Sequence, residues 1–352
     1  MLTALLMLST VAIGWGILEA FDDKDTPADI TEDSDDENLS LDGGDASDLL
    51  NGGGGDDTLV GGGGDDVLNG RDGDDRIIGD YSVHGDVGDE GNDTLHGAGG
   101  DDTLYGNDGD DALYGGDGDD WILGDEGNDT LHGAGGDDYL FSGIGDDALY
   151  GGDGDDNLIG RDGDDTLFGG DGDDSLNGGR GDDLLVGGDG NDQLSVFSGT
   201  NRLYGGNGDD SLCALYPGDN LLDGGAGDDR LEGNENDTLI GGDGDDLLSG
   251  MDQMYGGSGS DTFRSDIYAP QGEVQVTDHI GQIMDFDPSE DVIGLRFFII
   301  PEDLSLEVRD WADGTGADIL VNGIVYARAS GAQGLSTSEI VISQVYSGDF
   351  NN

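Results

Sequence analysis

The stretch GGDGDDNLIGRDGDDTLFGGDGDDSLNGG, residues 151–179, brings back a pair of acidic residues every nine positions, each pair held between a glycine and a single large apolar residue. Taking Gly151–Ile159 as positions one to nine, nineteen units between Gly52 and Arg264 carry Gly at position four, Asp at six and Leu, Ile or Phe at eight. Twelve of them follow one another without a slip from Gly88 to Ser195. A longer copy overlies the unit: the 36-residue blocks 88–123 and 124–159 agree at 28 positions. Duplication in whole units is what stacked coils tolerate.

Each unit has two halves. The first six residues are turn chemistry, in which glycine permits positive φ and lets carbonyls approach a ligand. The last three, such as Thr166-Leu167-Phe168, suit a short strand with its middle side chain on one face. So short a strand is unstable alone. Two units per coil place strands on two facing sheets, with the position-eight residues meeting between them.

The whole chain has 352 residues, a net charge of −71 and 72 glycines. Such acidity argues against nucleic acid and against an anionic membrane face. Without periodicity it would read as disorder, but disorder does not require Leu or Ile in phase at position eight. One buried Leu per unit is too little to offset the ordering of nine backbone residues, and the carboxylates add repulsion. A cation must therefore belong to the fold. Asp oxygens and carbonyls with almost no His or Cys nearby select a hard ion, and flexible turns suit Ca²⁺ better than Mg²⁺.

These units resemble the RTX calcium-binding nonapeptide family, whose pattern is G-G-x-G-x-D-x-U-x with U large and apolar. The resemblance covers residues 43–264. It implies an all-β fold, a right-handed parallel β-roll. It also implies many Ca²⁺ ions, each held between successive turns on one side by position-six Asp and turn carbonyls. The implied ligands in the unbroken block are Asp93, Asp102, Asp111, Asp120, Asp129, Asp138, Asp147, Asp156, Asp165, Asp174, Asp183 and Asp192. Outside it they are Asp57, Asp66, Asp75, Asp210, Asp229, Asp246 and Asp261. Position-five Asp is expected to face solvent and add charge.

The repeat has gaps. His84 and Asn201 stand at position six of units 79–87 and 196–204, the stretch 214–223 is a residue long, 233–240 a residue short, and 250–255 is truncated. One long roll with defects, or two to three segments, are both compatible with this. Position nine reads His96, Tyr114, His132, Tyr150, Phe168, Val186 on one sheet and Tyr105, Leu123, Phe141, Ile159 on the other. Strand propensity with cross-strand pairing explains this; a flat aromatic surface for polysaccharide is the sharper alternative.

From Ser265 glycine thins and β-branched alternation appears. IMDFDPSEDVIGL (283–295), DGTGADILVNG (313–323) and LSTSEIVIS (335–343) resemble the β-rich end domain of secreted serralysin-type proteases. Residues 265–352 are thus expected to cap the roll's open edge and to carry an export signal for a type I secretion machine. Residues 1–18 hold no charged side chain and suit an anchor, an atypical signal peptide or a buried helix. Residues 1–20 are taken as that segment, and 21–42, with ten acidic residues, as a linker. The lone Cys213 rules out an intrachain disulfide.

No H-E-x-x-H, G-x-S-x-G or P-loop occurs, and His84, His96, His132 and His279 are the only histidines. The expectation is a non-enzymatic, exported calcium-binding protein, structural or adhesive at the cell surface. Its expected partners are calcium, a surface polysaccharide or protein, and the exporter. The rivals are a hydrolase or lyase activity in residues 265–352 and a partner-less calcium buffer.

Overall fold

The computed structural model describes residues 19–21, 29–34, 38–80, 91–250, 253–267, 281–297, 306–310, 312–321, 324–330, 332, 335 and 340–344. The apolar segment 1–18, His84, His279 and the terminal SGDFNN lie outside the described residues. Every regular element among the described residues is a strand, so none is a helix long and apolar enough to cross a membrane. The chain divides into two compact units, Met1–Gly135 and Gly136–Asn352.

In the first unit, strands Ser40–Gly44, Thr58–Gly62, Arg76–Asp80, Thr103–Asp108 and Trp121–Glu126 pair in parallel as a first sheet. Asp29–Ser34, Leu49–Gly54, Val67–Asp72, Thr94–Gly99, Ala112–Asp117 and Thr130–Gly135 form the second. The chain alternates between the sheets, one unit of sequence to each, as a solenoid does. Asp29–Ser34 and the first three residues of Ser40–Gly44 belong to the stretch read as linker, and both strands pair with strands of the repeats.

In the second unit, Tyr139–Ile144, Asn157–Asp162, Ser175–Arg180, Gln193–Val196, Ser211–Ala214, Arg230–Glu232, Leu247–Ser249 and Thr262–Ile267 make the first sheet. Ala148–Asp153, Thr166–Asp171, Leu184–Asp189, Arg202–Asn207, Leu221–Ala226, Thr238–Asp243 and Gln253–Ser258 make the second. The irregular lengths at 214–223 and 233–240 are absorbed in turns. Leu212 still pairs with Leu231 and Leu231 with Leu248, while Leu222 pairs with Leu239 and Leu239 with Met254.

The position-eight residues are the core. Leu149, Leu158, Leu167, Leu176, Leu185 and Leu203 are wholly buried, each contributing about 1.5–3 kcal/mol. Strands run to six residues, longer than the three expected, because pairing continues into positions one to three of the next turn. The turn then reverses at position four. There Gly172 has φ +137, and a Cβ would collide with the Gly154 carbonyl one coil back.

The stretch 79–87 reads as a unit with His84 at position six; residues 81–90 lie outside the described residues, and the sequence spacing between rungs changes across them. The Asp66 N–H bonds Asp93 and the Asp75 N–H bonds Asp102, each 27 residues away instead of 18. Nine more residues of sequence than elsewhere separate these rungs, while Ile77 pairs with Leu104 and Leu68 with Leu95.

Beyond the repeats, Val292–Phe297 and Ile340–Gln344 extend the first sheet in parallel. Gly281–Ile283 and Ile324–Ser330 extend the second, and Gly316–Val321 and Leu306–Asp310 follow antiparallel. Buried Ile319, Leu320, Ala327 and Ala329 give this end a core of its own.

Candidate metal centre

In each unit the turns fall into two rows. A first row leads into the first sheet and a second row into the second. All nineteen expected ligand aspartates stand at the last residue of these turns and are only 1–3% exposed. Each row is stitched by one repeated bond. The backbone N–H of a position-six residue donates to Oδ1 of the position-six aspartate one coil later. Asp138 to Asp156, Asp156 to Asp174 and Asp174 to Asp192 all measure 2.8 Å.

That bond uses one carboxylate oxygen. At Asp57, Asp66, Asp75, Asp93, Asp102 and Asp111, Oδ2 is buried and meets no donor. The same holds at Asp156, Asp165, Asp174, Asp183, Asp192, Asp210, Asp229 and Asp246. A buried carboxylate with a bare oxygen is costly. Burial is the chief cause that pushes the Asp93 and Asp102 carboxyls up to about 8. It pushes Asp156, Asp165 and Asp174 up to about 7, against the lowering effect of the N–H each accepts. Neighbouring carboxylates raise them further.

Position one explains the room around Oδ2. A Cβ on Gly151, Gly169 or Gly187 would collide with Oδ2 of its own turn and with the carbonyl of the position-one glycine one coil later. Glycine thus leaves a cradle lined by a carboxylate oxygen and a carbonyl. Among the described residues no three His, Cys, Asp or Glu side chains are placed to share one ion. A cation here must take carbonyls as well as carboxylate, which is an all-oxygen set for a hard ion. The donor set and the bare buried oxygens both fit Ca²⁺.

Several residues escaped the sequence reading. Asp48 is 4% exposed, and its N–H donates to Asp66 Oδ1 at 2.7 Å. Its unit, GGDASDLLN (43–51), has Ala at position four, and the nine-residue phase from Asp57 was the signal. At the far end of the first row, Asp261 N–H donates to Asp291 Oδ1 at 3.0 Å. Asp285 accepts the N–H groups of Gly256 and Gly257 at 2.9 and 3.2 Å. Two carboxylates from IMDFDPSED thus close the last repeat turn, outside the repeat's spacing.

Position five does more than face solvent. Its carboxylate is exposed, yet its Oδ1 accepts the position-five N–H one coil later, as from Asp173 to Asp155 at 2.8 Å. Where position six lacks Asp, Asn201 and Asn220 continue the second row, buried like the aspartates.

The position-nine rings pair across strands. Tyr114 lies between His96 and His132 with centroids 4.7 and 4.9 Å apart, nearly parallel. Tyr150 stacks on Phe168 at 5.4 Å. On the other sheet Arg76 and Arg161 cover the faces of Tyr105 and Phe141. Faces taken by neighbours leave mainly edges outward, which supports cross-strand pairing as their role.

The family model for the RTX calcium-binding nonapeptide repeat (4 copies) matches residues 41–80, 87–122, 114–149, 150–185, 178–212, 216–235 and 233–263. No curated protein matches the chain.

Proposed function

The chain belongs to the RTX calcium-binding nonapeptide repeat family, and from that premise we propose an exported protein whose roll is completed by calcium outside the cell and serves a structural role there. It is a calcium-binding protein with a β-solenoid fold. One observation carries the rest: the rows of buried aspartate oxygens that meet no donor. A fold with this feature is poor without calcium and good with it.

The proposed ligands are the position-six aspartates with the position-one carbonyls of the adjacent coil. Bound Ca²⁺ supplies positive charge to oxygens that have no other partner. The chain's own groups do the rest. The Oδ1 bonds fix each carboxylate's direction, glycine at position one keeps the cradle open, and the leucine core sets the coil spacing. Extracellular calcium modules bind with Kd on the order of 10⁻⁴–10⁻³ M. Calcium-poor cytoplasm would leave the chain unfolded and fit for threading through a type I exporter, and calcium outside would fold it by mass action. Asp285 and Asp291 close the last turn of the first row in keeping with a capping role for the C-terminal strands. A structural role is preferred to glycan adhesion because the stacked rings offer few free faces.

Calcium and magnesium titrations of chelator-treated chain, followed by circular dichroism and by size, test the fold. Sheet structure should appear in millimolar calcium and not in equal magnesium. Chain that is already compact without metal, and unchanged by calcium, refutes the reading. Export is tested separately, by whether intact chain accumulates in the medium of producing cells.

A further inference from the structure

The second row of the unit Gly136–Asn352 changes chemistry at its end. After Asp165 and Asp183 its rungs are Asn201, Asn220 and Asp237, which are 1%, 3% and 0% exposed. Asp183 N–H donates to Asn201 Oδ1 at 2.8 Å. Asn201 Nδ2 donates to Asn220 Oδ1 at 3.0 Å, and Asn220 Nδ2 to Asp237 Oδ1 at 2.8 Å. Asn234 N–H closes the chain on Asp237 Oδ2 at 2.6 Å. An ionised carboxylate only accepts, so Asp237 fixes the orientation of the Asn220 amide, which in turn fixes that of Asn201. Every oxygen in this relay has a donor, whereas Oδ2 of Asp165 and of Asp183 has none.

Position one changes in the same two turns. Gly160 and Gly178 precede Asp165 and Asp183, and a Cβ on either would strike the carboxylate. Val196 and Ala214 precede Asn201 and Asn220, and are 1% and 2% exposed. Aliphatic carbon thus stands where Gly160 and Gly178 keep room for oxygen. Exposed Phe197 and Tyr216, ring centroids 4.4 Å apart, project from these same turns.

We propose that the turns 196–201 and 214–220 are built to exclude calcium, with Val196, Ala214, Asn201 and Asn220 as the determinants, so that loading of the second row stops at Asp183. This rests on the calcium reading of the other turns. A neutral amide with its hydrogen bonds complete offers a hard cation neither charge nor a free oxygen, and the aliphatic side chain occupies the space.

Native mass spectrometry of the full chain at saturating calcium counts the ions. The variant Val196→Gly/Asn201→Asp/Ala214→Gly/Asn220→Asp is expected to hold about two more than the unaltered chain. Asn201→Ala/Asn220→Ala should hold the same number, while the control Asp165→Asn should lose about one. An unchanged count in a folded fourfold variant, or ions lost from the alanine pair, overturns the proposal. Should the fourfold variant fail to fold, the alanine pair decides alone, an equal count supporting the proposal and a lower one refuting it. An unaltered chain that holds no calcium at all refutes the calcium reading itself.

Discussion

The two turn rows of the unit Gly136–Asn352 begin alike and end differently. The first runs Asp156, Asp174, Asp192, Asp210, Asp229, Asp246, Asp261, all aspartate. The second passes from Asp165 and Asp183 to Asn201, Asn220 and Asp237. The strands beside them pair in the same register, and the leucines beneath are equally buried. One backbone path is therefore compatible with two ways of filling its turns. Buried carboxylates leave an oxygen that needs a cation, and an amide relay needs nothing. On the proposed reading, calcium's part in this fold is to neutralise charge that the coil geometry places indoors.

Stripping calcium should have the largest effect and should separate the rows. The chain as a whole is expected to lose sheet structure and expand toward a radius of gyration of about 70 Å. Hydrogen exchange through partial depletion should show the N–H groups of Asp174 and Asp192 released before those of Asp183 and Asn201. The former donate to carboxylates of the first row, the latter to the amides Asn201 and Asn220. Equal rates at all four would mean that the chemical difference has no energetic weight.

A backbone change should ignore the difference. Gly172 in the first row and Gly199 in the second have φ +137 and +121, and a Cβ on either would strike a carbonyl one coil back. Gly172→Val and Gly199→Val should each cost about 3 kcal/mol or more, since strain and collision add. Thermal midpoints in saturating calcium should fall by similar amounts. A much milder loss at Gly199 would show that the second row's end is looser, and the comparison would no longer be one of chemistry alone.

Acid should act next, and on carboxylate turns only. The Asp156 and Asp174 carboxyls are pushed up to about 7 and Asp192 to about 6, chiefly by burial. A folded-state value above the unfolded one means that the metal-free fold holds its protons more tightly than the unfolded chain. That contribution is complete below about pH 4 and is lost as pH climbs through about 6 to 7. Metal-free chain should therefore gain sheet structure on acidification across this window. With calcium the direction reverses, because protons compete for the same oxygens, and the calcium midpoint should rise as pH falls. Asn201 and Asn220 carry no proton to exchange, so converting Asp174 and Asp192 to Asn should weaken both responses in proportion to the carboxylates removed.

Much of this was legible in the sequence because the repeat states its own register. Leu at position eight and Asp at position six are fixed by period alone, and both fall where the period puts them. Legibility fails where a second solution replaces the first. Asn201 reads as a gap in the sequence, yet it is a filled rung, because the relay depends on Asn220 and Asp237, which lie in units of altered length. Asp48 was hidden by a single Ala at position four. Asp285 and Asp291 reach the last turns from outside the repeat, across a distance no local pattern encodes. The nine additional residues of sequence between the rungs Asp66 and Asp93 keep the period in length, so the repeat alone does not mark them as additional.

The smallest effect is expected from the residue beside a ligand. Asp164 and Asp165 are neighbours in one turn, but their carboxylates point opposite ways along the stack. Asp165 Oδ1 accepts the Asp147 N–H of the coil before, at 3.0 Å, and its Oδ2 is buried without a donor. Asp164 Oδ1 accepts the Asp182 N–H of the coil after, at 2.7 Å, in the open. An exposed hydrogen bond contributes about 0.5–1.5 kcal/mol, and removing one charge from so acidic a row relieves repulsion that offsets part of it. Asp164→Ala should therefore shift the calcium midpoint less than threefold and leave the ion count unchanged, while Asp165→Ala loses an ion. If Asp164→Ala lowers the count as well, position five is a ligand. The distinction between an outer ladder that spaces the coils and an inner one that binds metal would then have to be given up.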